Sequence, residues 1–358
     1  MKGKDILLAL IKDISAQRFA ATGRLPSEQA LCASFGASRM TVRGALAELQ
    51  RRGLIEKRNG AGSFLTARAW RKSGLVGLVI PDYASFGFFA DVKQEIERHC
   101  ALLGYRTRLV MTRETERETA IRDIRRQVRE LAAARTEGVV FRPYVGEDFA
   151  EANAEIVRIL QRTETPVVLI DSDIARPPER SNLDLIAVNN IDAGRRIADY
   201  LHTRGYGRIA FLSPGNERNL NANWSNRLFG LAGELALLGC GDGVRTLRFA
   251  PDDADALARA LRGPRRPDAI VCGNDECAAA LMATLRRLGR RIPEAVAVVG
   301  FDDIPLSRAT EPPLTTVSQP VRKIAATAFK ALLARIRYPN NATREIYLNA
   351  PLVARGSA

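Results

Sequence analysis

Apolar residues at Ile6, Leu7, Leu10, Ile11 and Ile14 recur at helical spacing, so residues 4–17 read as an amphipathic helix. Pro26-Ser27 restarts the chain, and Ser27 can cap a short helix over 28–34. Gly36-Ala37 is a turn, and Ser38 is the next N-cap candidate. Val42, Ala45, Leu46 and Leu49 then form one inward stripe, leaving Arg39, Met40, Thr41 and Arg43 outward at the start of a third helix. Gly53 ends that helix. Segments 54–58 and 63–65 read as two short strands about Asn59-Gly60, a favoured hairpin turn.

From Leu75 the pattern changes to short apolar runs separated by helical stretches. Runs ending at Ile80, Val110, Phe141, Ile170, Val188, Leu212, Cys272 and Phe301 read as buried strands. Helical segments fall near 88–103, 116–134, 149–162, 192–204, 226–238, 252–261, 275–288 and 322–337. Such alternation predicts parallel sheet covered on both faces, and about 280 residues of it predict two α/β lobes. The 66–73 stretch, with Arg68, Trp70, Arg71 and Lys72 and no apolar period, reads as a linker.

Charge singles out the first segment. Residues 1–73 hold 14 Lys/Arg against five Asp/Glu, a net of +9 of the chain's +14. Basic charge gathered this way is the footprint of phosphate neutralisation. Arg39, Met40, Thr41 and Arg43 stand where a recognition helix meets base edges: Arg can take both acceptors of a guanine, and Thr or Met can touch a thymine methyl. A basic hairpin (Lys57, Arg58) beside such a helix is the wing of a winged helix-turn-helix.

Residues 4–66 resemble the DNA-binding domain of the GntR family, through Leu25-Pro-Ser-Glu28, Ser38-Arg-Met-Thr-Val-Arg43 and Gly60-Ala-Gly-Ser-Phe64. The resemblance implies that Ser38, Arg39, Thr41 and Arg43 contact DNA and that Asn59-Gly60 forms the wing tip. Gln29 and Met40 depart from the family's usual Arg and Thr, so sequence preference does not carry over.

Five scattered cysteines without Cys-x-x-Cys spacing read as reduced thiols of a cytoplasmic protein. The apolar stretch at 6–11 is too short for a signal or a membrane span. No dinucleotide or Walker-type glycine loop, nucleophile elbow or metal-binding His pattern is present, so neither an enzyme nor a cofactor is expected. His99 and His202 lie in helical segments and read as structural.

In open α/β sheets, ligands bind beyond the carboxyl ends of the strands. There stand Asp82, Ser85 and Phe86 after Ile80, then Asp171, Ser213, Asn274 with Asp275, and Asp302 with Asp303. Each of these could equally cap the following helix; only the set favours a cleft for a polyhydroxylated ligand. Trp224 and Arg227 flank the start of a helix, where an aromatic platform and a bidentate donor could complete it.

Residues 75–356 resemble the effector domain of LacI/GalR regulators, which is similar to periplasmic sugar-binding proteins. The ordered matches are Val271-Cys-Gly-Asn-Asp-Glu-Cys-Ala-Ala-Ala-Leu281, Arg290-Arg-Ile-Pro-Glu-Ala-Val-Ala-Val-Val-Gly-Phe-Asp-Asp303 and Pro313-Leu-Thr-Thr-Val317. The resemblance implies effector contacts at Asp171, Arg227, Asn274 and Asp302, with neighbours Ser85, Phe86 and Phe88. It also implies a first lobe of about 75–174 plus 302–320 and a second of about 175–301 plus 321–352. That family's own head and hinge helix are missing.

The whole reads as α/β: a winged helix-turn-helix (1–66), a linker (67–74) and a two-lobed, Rossmann-like parallel-sheet effector domain (75–356). The expected function is a ligand-responsive transcriptional repressor. As a homodimer it would bind a double-stranded, pseudo-palindromic operator under the control of a small molecule, foremost a sugar, with no membrane partner. The alternatives are a constitutive DNA-binding scaffold with a vestigial cleft and a GntR-headed enzyme fusion.

Overall fold

The computed structural model describes the chain except residues 1, 2, 16, 17, 20, 21, 59, 67–72, 81–86, 113–115, 147, 148, 176, 177, 214–221, 241 and 242. The expected Asn59, Asp82, Ser85, Phe86 and most of the linker lie outside the described residues.

The N-terminal unit contains helices α1 (Gly3–Ser15), α2 (Glu28–Phe35) and α3 (Arg39–Arg51), and a hairpin of β1 (Ile55–Arg58) and β2 (Gly62–Leu65). Ser27 Oγ accepts from Ala30 N at 3.1 Å and Ser38 Oγ from Thr41 N at 3.3 Å, so both caps act as expected from sequence. Ile6, Leu10, Val42, Leu46, Leu49 and Ile55 close a small core. Gly60 takes φ +72° in the hairpin turn, a conformation open to glycine without strain.

The first α/β lobe contains β3 (Leu75–Val79), α4 (Phe88–Leu102), β4 (Arg106–Val110), α5 (Arg117–Ala133), β5 (Gly138–Phe141), α6 (Ala150–Arg162), β6 (Val167–Ile170) and β7 (Asp184–Val188). The second contains α7 (Asn190–Thr203), β8 (Ile209–Leu212), α8 (Ala222–Leu237), β9 (Arg245–Leu247), α9 (Ala254–Ala260), β10 (Ala269–Cys272), α10 (Asp275–Arg287), β11 (Ala297–Asp302), α11 (Leu306–Ala309) and β12 (Thr315–Ser318). The chain then returns to the first lobe for α12 (Val321–Arg337) and β13 (Glu345–Leu348), and ends beside the second with β14 (Leu352–Val353).

Two six-stranded sheets result, in the orders β13-β7-β6-β5-β3-β4 and β14-β12-β11-β10-β8-β9. All pairs are parallel except β12 with β14. Central strands such as Val167–Ile170 and Ala269–Cys272 are buried at every residue, which is why they appear in sequence as unbroken apolar runs.

The lobe limits expected from sequence need correction. β7 pairs with β6, and β13 with β7, so 184–188 and 345–348 belong to the first sheet. β12 pairs with β11, which puts 315–318 in the second, and α12 packs on β5, β6 and β7 rather than on the second lobe. A strand buried on both faces has the same apolar composition in either sheet, so composition cannot say where the chain crosses.

Gly194 of α7 and Gly230 of α8 set the site-bearing helices. A Cβ on Gly194 would overlap the Arg227 carbonyl, and one on Gly230 the Ile191 carbonyl. The two helices therefore touch backbone to backbone, which brings the first turns of α8 against the start of α7. Among the described residues, no helix is long and apolar enough to cross a membrane.

Candidate functional site

On the head, the start of α3 stands in solvent. The Arg39 and Arg43 side chains are 72% and 54% exposed, and Met40 is 78% exposed. Ser38 and Thr41 hydroxyls lie 2.8 Å apart at the helix N-terminus. One carboxylate organises the surface. Glu28, opening α2, accepts from Arg43 Nε at 2.8 Å and pairs with Arg39 and with Lys57 of the hairpin, both at 3.5 Å. The Arg43 hydrogen bond holds the Glu28 carboxyl below its ordinary range. Helix α3 and the hairpin thus share one anchor. The wing is braced by Arg58, whose guanidinium lies 4.5 Å from the Phe64 ring centre while Glu56 accepts its Nε at 2.8 Å. Glu28 was visible in sequence only as part of a motif; nothing there showed three basic groups converging on it.

In the body, strand ends converge on a cleft. Asp171 follows β6 with φ +73°, and Asp302 ends β11 with φ +117°, left-handed backbone that costs about 1–3 kcal/mol at non-glycine residues and clusters at functional sites. Asp171 accepts from Arg142 Nε at 3.2 Å through one oxygen and from Asn223 Nδ2 at 2.8 Å through the other. Asn223, on α8, accepts from Asn190 Nδ2 at 3.1 Å, and Asn190 accepts from Arg227 Nε at 2.8 Å. Arg227 also donates to the Gly273 carbonyl, and its guanidinium lies 3.4 Å from the Phe301 ring centre. An unbroken polar chain therefore runs from the first lobe (Arg142, Asp171) into the second (Asn223, Arg227). All its members but Asp171 are buried.

Burial lowers the Arg227 pKa to about 10, against the opposing pull of Asp302, Asp171 and Asp275. Burial raises Asp302 to about 8, against Arg227 and the 2.6 Å hydrogen bond from Gln319 Nε2. Asp275, buried under Thr316 Oγ1 (2.6 Å) and Ile304 N (3.0 Å), is raised by burial to about 7. It is a first-turn acid locked into the core rather than a cleft residue.

Phe88 opens α4 and packs edge-on against Phe89, ring centres 4.9 Å apart. Both line a solvent-open space of about 230 Å³ with Val92, Ile170, Ile186, Ala187, Val188 and Ile324, where the polar lining among the described residues is Asp171 and Gln319. Asn274 caps α10: its Oδ1 accepts from Cys277 N at 3.0 Å and its amide donates to Glu276. Trp224 lies flat on Gly273, where any Cβ would strike the indole.

The structure thus brings Phe88, Asp171, Arg227 and Asp302 to one cleft and adds Arg142, Asn190, Asn223 and Gln319, which sequence reasoning missed. Arg142 directly follows an apolar run, and Asn223 lies one helical turn before Arg227; both signals were available. Gln319 had none.

Residues 2–65 match the family model of bacterial regulatory proteins of the gntR family, and residues 198–358 that of the periplasmic binding protein-like domain. The HTH-type transcriptional repressor PurR of Vibrio cholerae serotype O1 is 30% identical over 288 residues, covering 78% of this chain and 79% of that protein. The PurR repressor of Vibrio atlanticus is 29% identical over 287 residues, covering 79% and 80%. Among solved structures, the transcription regulator GntR from Chromobacterium violaceum is 28% identical, with TM-score 0.62 over 79% of this chain and 98% of that one. The complex of the transcriptional regulator CelR with cellobiose shares the fold, at 21% identity and TM-score 0.66 over 93% and 100%. With its GntR-type head on a LacI/GalR-type effector domain, the chain belongs to the family of HTH-type transcriptional repressors that includes these PurR proteins, and it is a ligand-responsive repressor.

Proposed function

We propose that the protein is a cytoplasmic homodimer that represses by placing two heads on a pseudo-palindromic operator, and that a sugar or sugar derivative in the interlobe cleft sets operator affinity. It acts by binding alone, without chemistry on its ligand. A helix-turn-helix dimer reads two half-sites, which is the reason for the palindrome. Ser38, Arg39, Thr41 and Arg43 meet the major groove, and the Asn59-Gly60 tip lies in or near the minor groove. The observation that carries the effector assignment is the pairing of an aromatic chamber at Phe88 with the polar chain from Asp171 to Arg227. A pyranose has the same two characters, an apolar ring face and a hydroxyl rim. In this reading Asp171 and Asp302 bind hydroxyls, Arg227 clamps oxygens, and the Asn274 amide turns from Glu276 to the ligand while its oxygen stays on the helix.

The proposal is tested by a thermal-shift screen of the intact protein against a sugar library, with the best hit added to an operator-retardation assay. A hit must stabilise the folded protein by mass action. It should also change operator affinity by roughly 5–150-fold, the usual span of allosteric coupling. Arg227→Ala should lose this response and keep DNA binding; an unaltered response removes Arg227 from the cleft. The mostly apolar chamber would equally seat a flat heteroaromatic ring, so nucleobases belong in the same screen, and a nucleobase hit with no sugar hit overturns the carbohydrate assignment.

A further inference from the structure

Head and body meet at the end of α12. Tyr338 ends α12, and three guanidinium groups surround its ring: Arg51 at 5.7 Å, Arg52 at 5.9 Å and Arg337 at 5.5 Å from the ring centre. Arg51 and Arg52 close the reading helix α3, at the end opposite Arg39. Arg52 is 7% exposed, and its buried Nη1 has no hydrogen-bond acceptor among the described residues. Glu48 holds both arginines in place, at 2.6–2.7 Å. Buried positive charge on an aromatic face is the setting in which cation–π attraction is strongest.

Tyr338 is firmly set on the first lobe. Arg335 pairs with the buried Asp184 of β7 at 2.9 Å and donates to the carbonyls of Pro339 (2.9 Å) and Asn341 (2.6 Å). The turn after α12 is thereby stapled to β7. The other end of α12 begins at the cleft, where Gln319 binds Asp302 of the second lobe and lines the aromatic chamber. Seventeen helical residues, about 25 Å, separate those two ends.

We infer that Tyr338 is the docking point by which the effector domain holds the rear of the reading helix, and that α12 is the strut connecting that point to the cleft. The inference rests on the proposed effector cleft for its direction of control, but the contact itself requires neither DNA nor ligand. A change in lobe angle pulls on Gln319, shifts α12 and loosens or tightens the grip on Arg51 and Arg52. The bases are met by the far end of α3, so docking leaves Arg39 and Arg43 free.

Hydrogen–deuterium exchange on the intact protein, without DNA or effector, tests both parts. Tyr338→Ala should speed exchange of amides in 46–54 by roughly tenfold, the loss expected for two such contacts, with the body unchanged. Tyr338→Phe, which keeps the ring face, should match the parent. Unchanged exchange at 46–54 in Tyr338→Ala overturns the docking point. If that variant instead loosens the whole body, Arg51→Ala decides: faster exchange around 334–342 upholds the contact, and none overturns it. Gln319→Ala should also speed exchange at 46–54; no change there overturns the strut. Because no operator is present, a negative result leaves the repressor assignment standing, and a failed effector screen leaves the docking result standing.

Discussion

The N-terminal end of α3 and the interlobe cleft use similar residues in opposite states. On the head, Arg39 and Arg43 extend into water and share one carboxylate, Glu28, through surface ion pairs. In the cleft, Arg142 and Arg227 are buried and bonded to groups of the protein itself. Exposed pairs are weak, worth about 0–1 kcal/mol, so an anionic partner arriving at α3 would displace Glu28 at little cost. Buried ones cost far more to break, so an effector must replace each bond it displaces. One surface is ready for its partner, and the other is already occupied by its own side chains.

The comparison is broken most decisively at Arg142. Arg142→Ala leaves Asp171 with Asn223 as its remaining partner and should cost about 3–5 kcal/mol of stability, read from urea unfolding. A loss under about 1 kcal/mol would mean that the cleft pair is no tighter than a surface one. Next comes the head. Arg39→Ala and Arg43→Ala should each weaken operator binding by about 1–3 kcal/mol where the arginine takes a guanine, and should leave the melting temperature unchanged. Retardation of the operator at parental concentrations would remove them from the interface.

A pH titration sharpens the contrast further. Asp302 has a pKa of about 8 in the folded protein against 3.8 for the ordinary group. Between those values the folded chain keeps a proton that the unfolded chain has released. Stability therefore falls as pH rises from about 4 through about 8, and levels off above. Asp302→Asn should flatten the upper part of that fall in a melting-temperature series; an unchanged slope would place the ionisation elsewhere. The smallest effect is expected at Glu28. Glu28→Gln should change stability by no more than about 1 kcal/mol while altering operator affinity through the released Arg43 and Lys57, measured by titration at two salt concentrations.

What could be read from sequence followed physical locality. Caps at Ser27 and Ser38, the stripe of α3 and the apolar runs of the central strands are set by neighbours within a few residues, and each lies where its spacing predicts. The short edge strands β9, β13 and β14 were not anticipated, because partly exposed strands of two to four residues lack an apolar run. Lobe membership of β7 and β12 is set by pairing with β6 and β11, each 16 positions earlier, and that of α12 by packing on strands more than a hundred positions back. Arg142 and Asn223 meet at Asp171 from segments 81 positions apart. A strand-end rule could nominate Asp171 and Asp302, but it could not say that Asp171 would be held by Asn223 from the opposite lobe.

The contact between Gly194 and Gly230 has a consequence for discrimination between ligands. Helices α7 and α8 have no room to slide past one another, so Asn190, Asn223 and Arg227 advance or retreat together. A molecule that suits one of them and offends another cannot be accommodated by local adjustment. It must hold off the whole second lobe, and the repressor then sees no ligand at all. A coarse, rigid joint beside the cleft would in this way produce a threshold: near-misses are silent instead of weakly active.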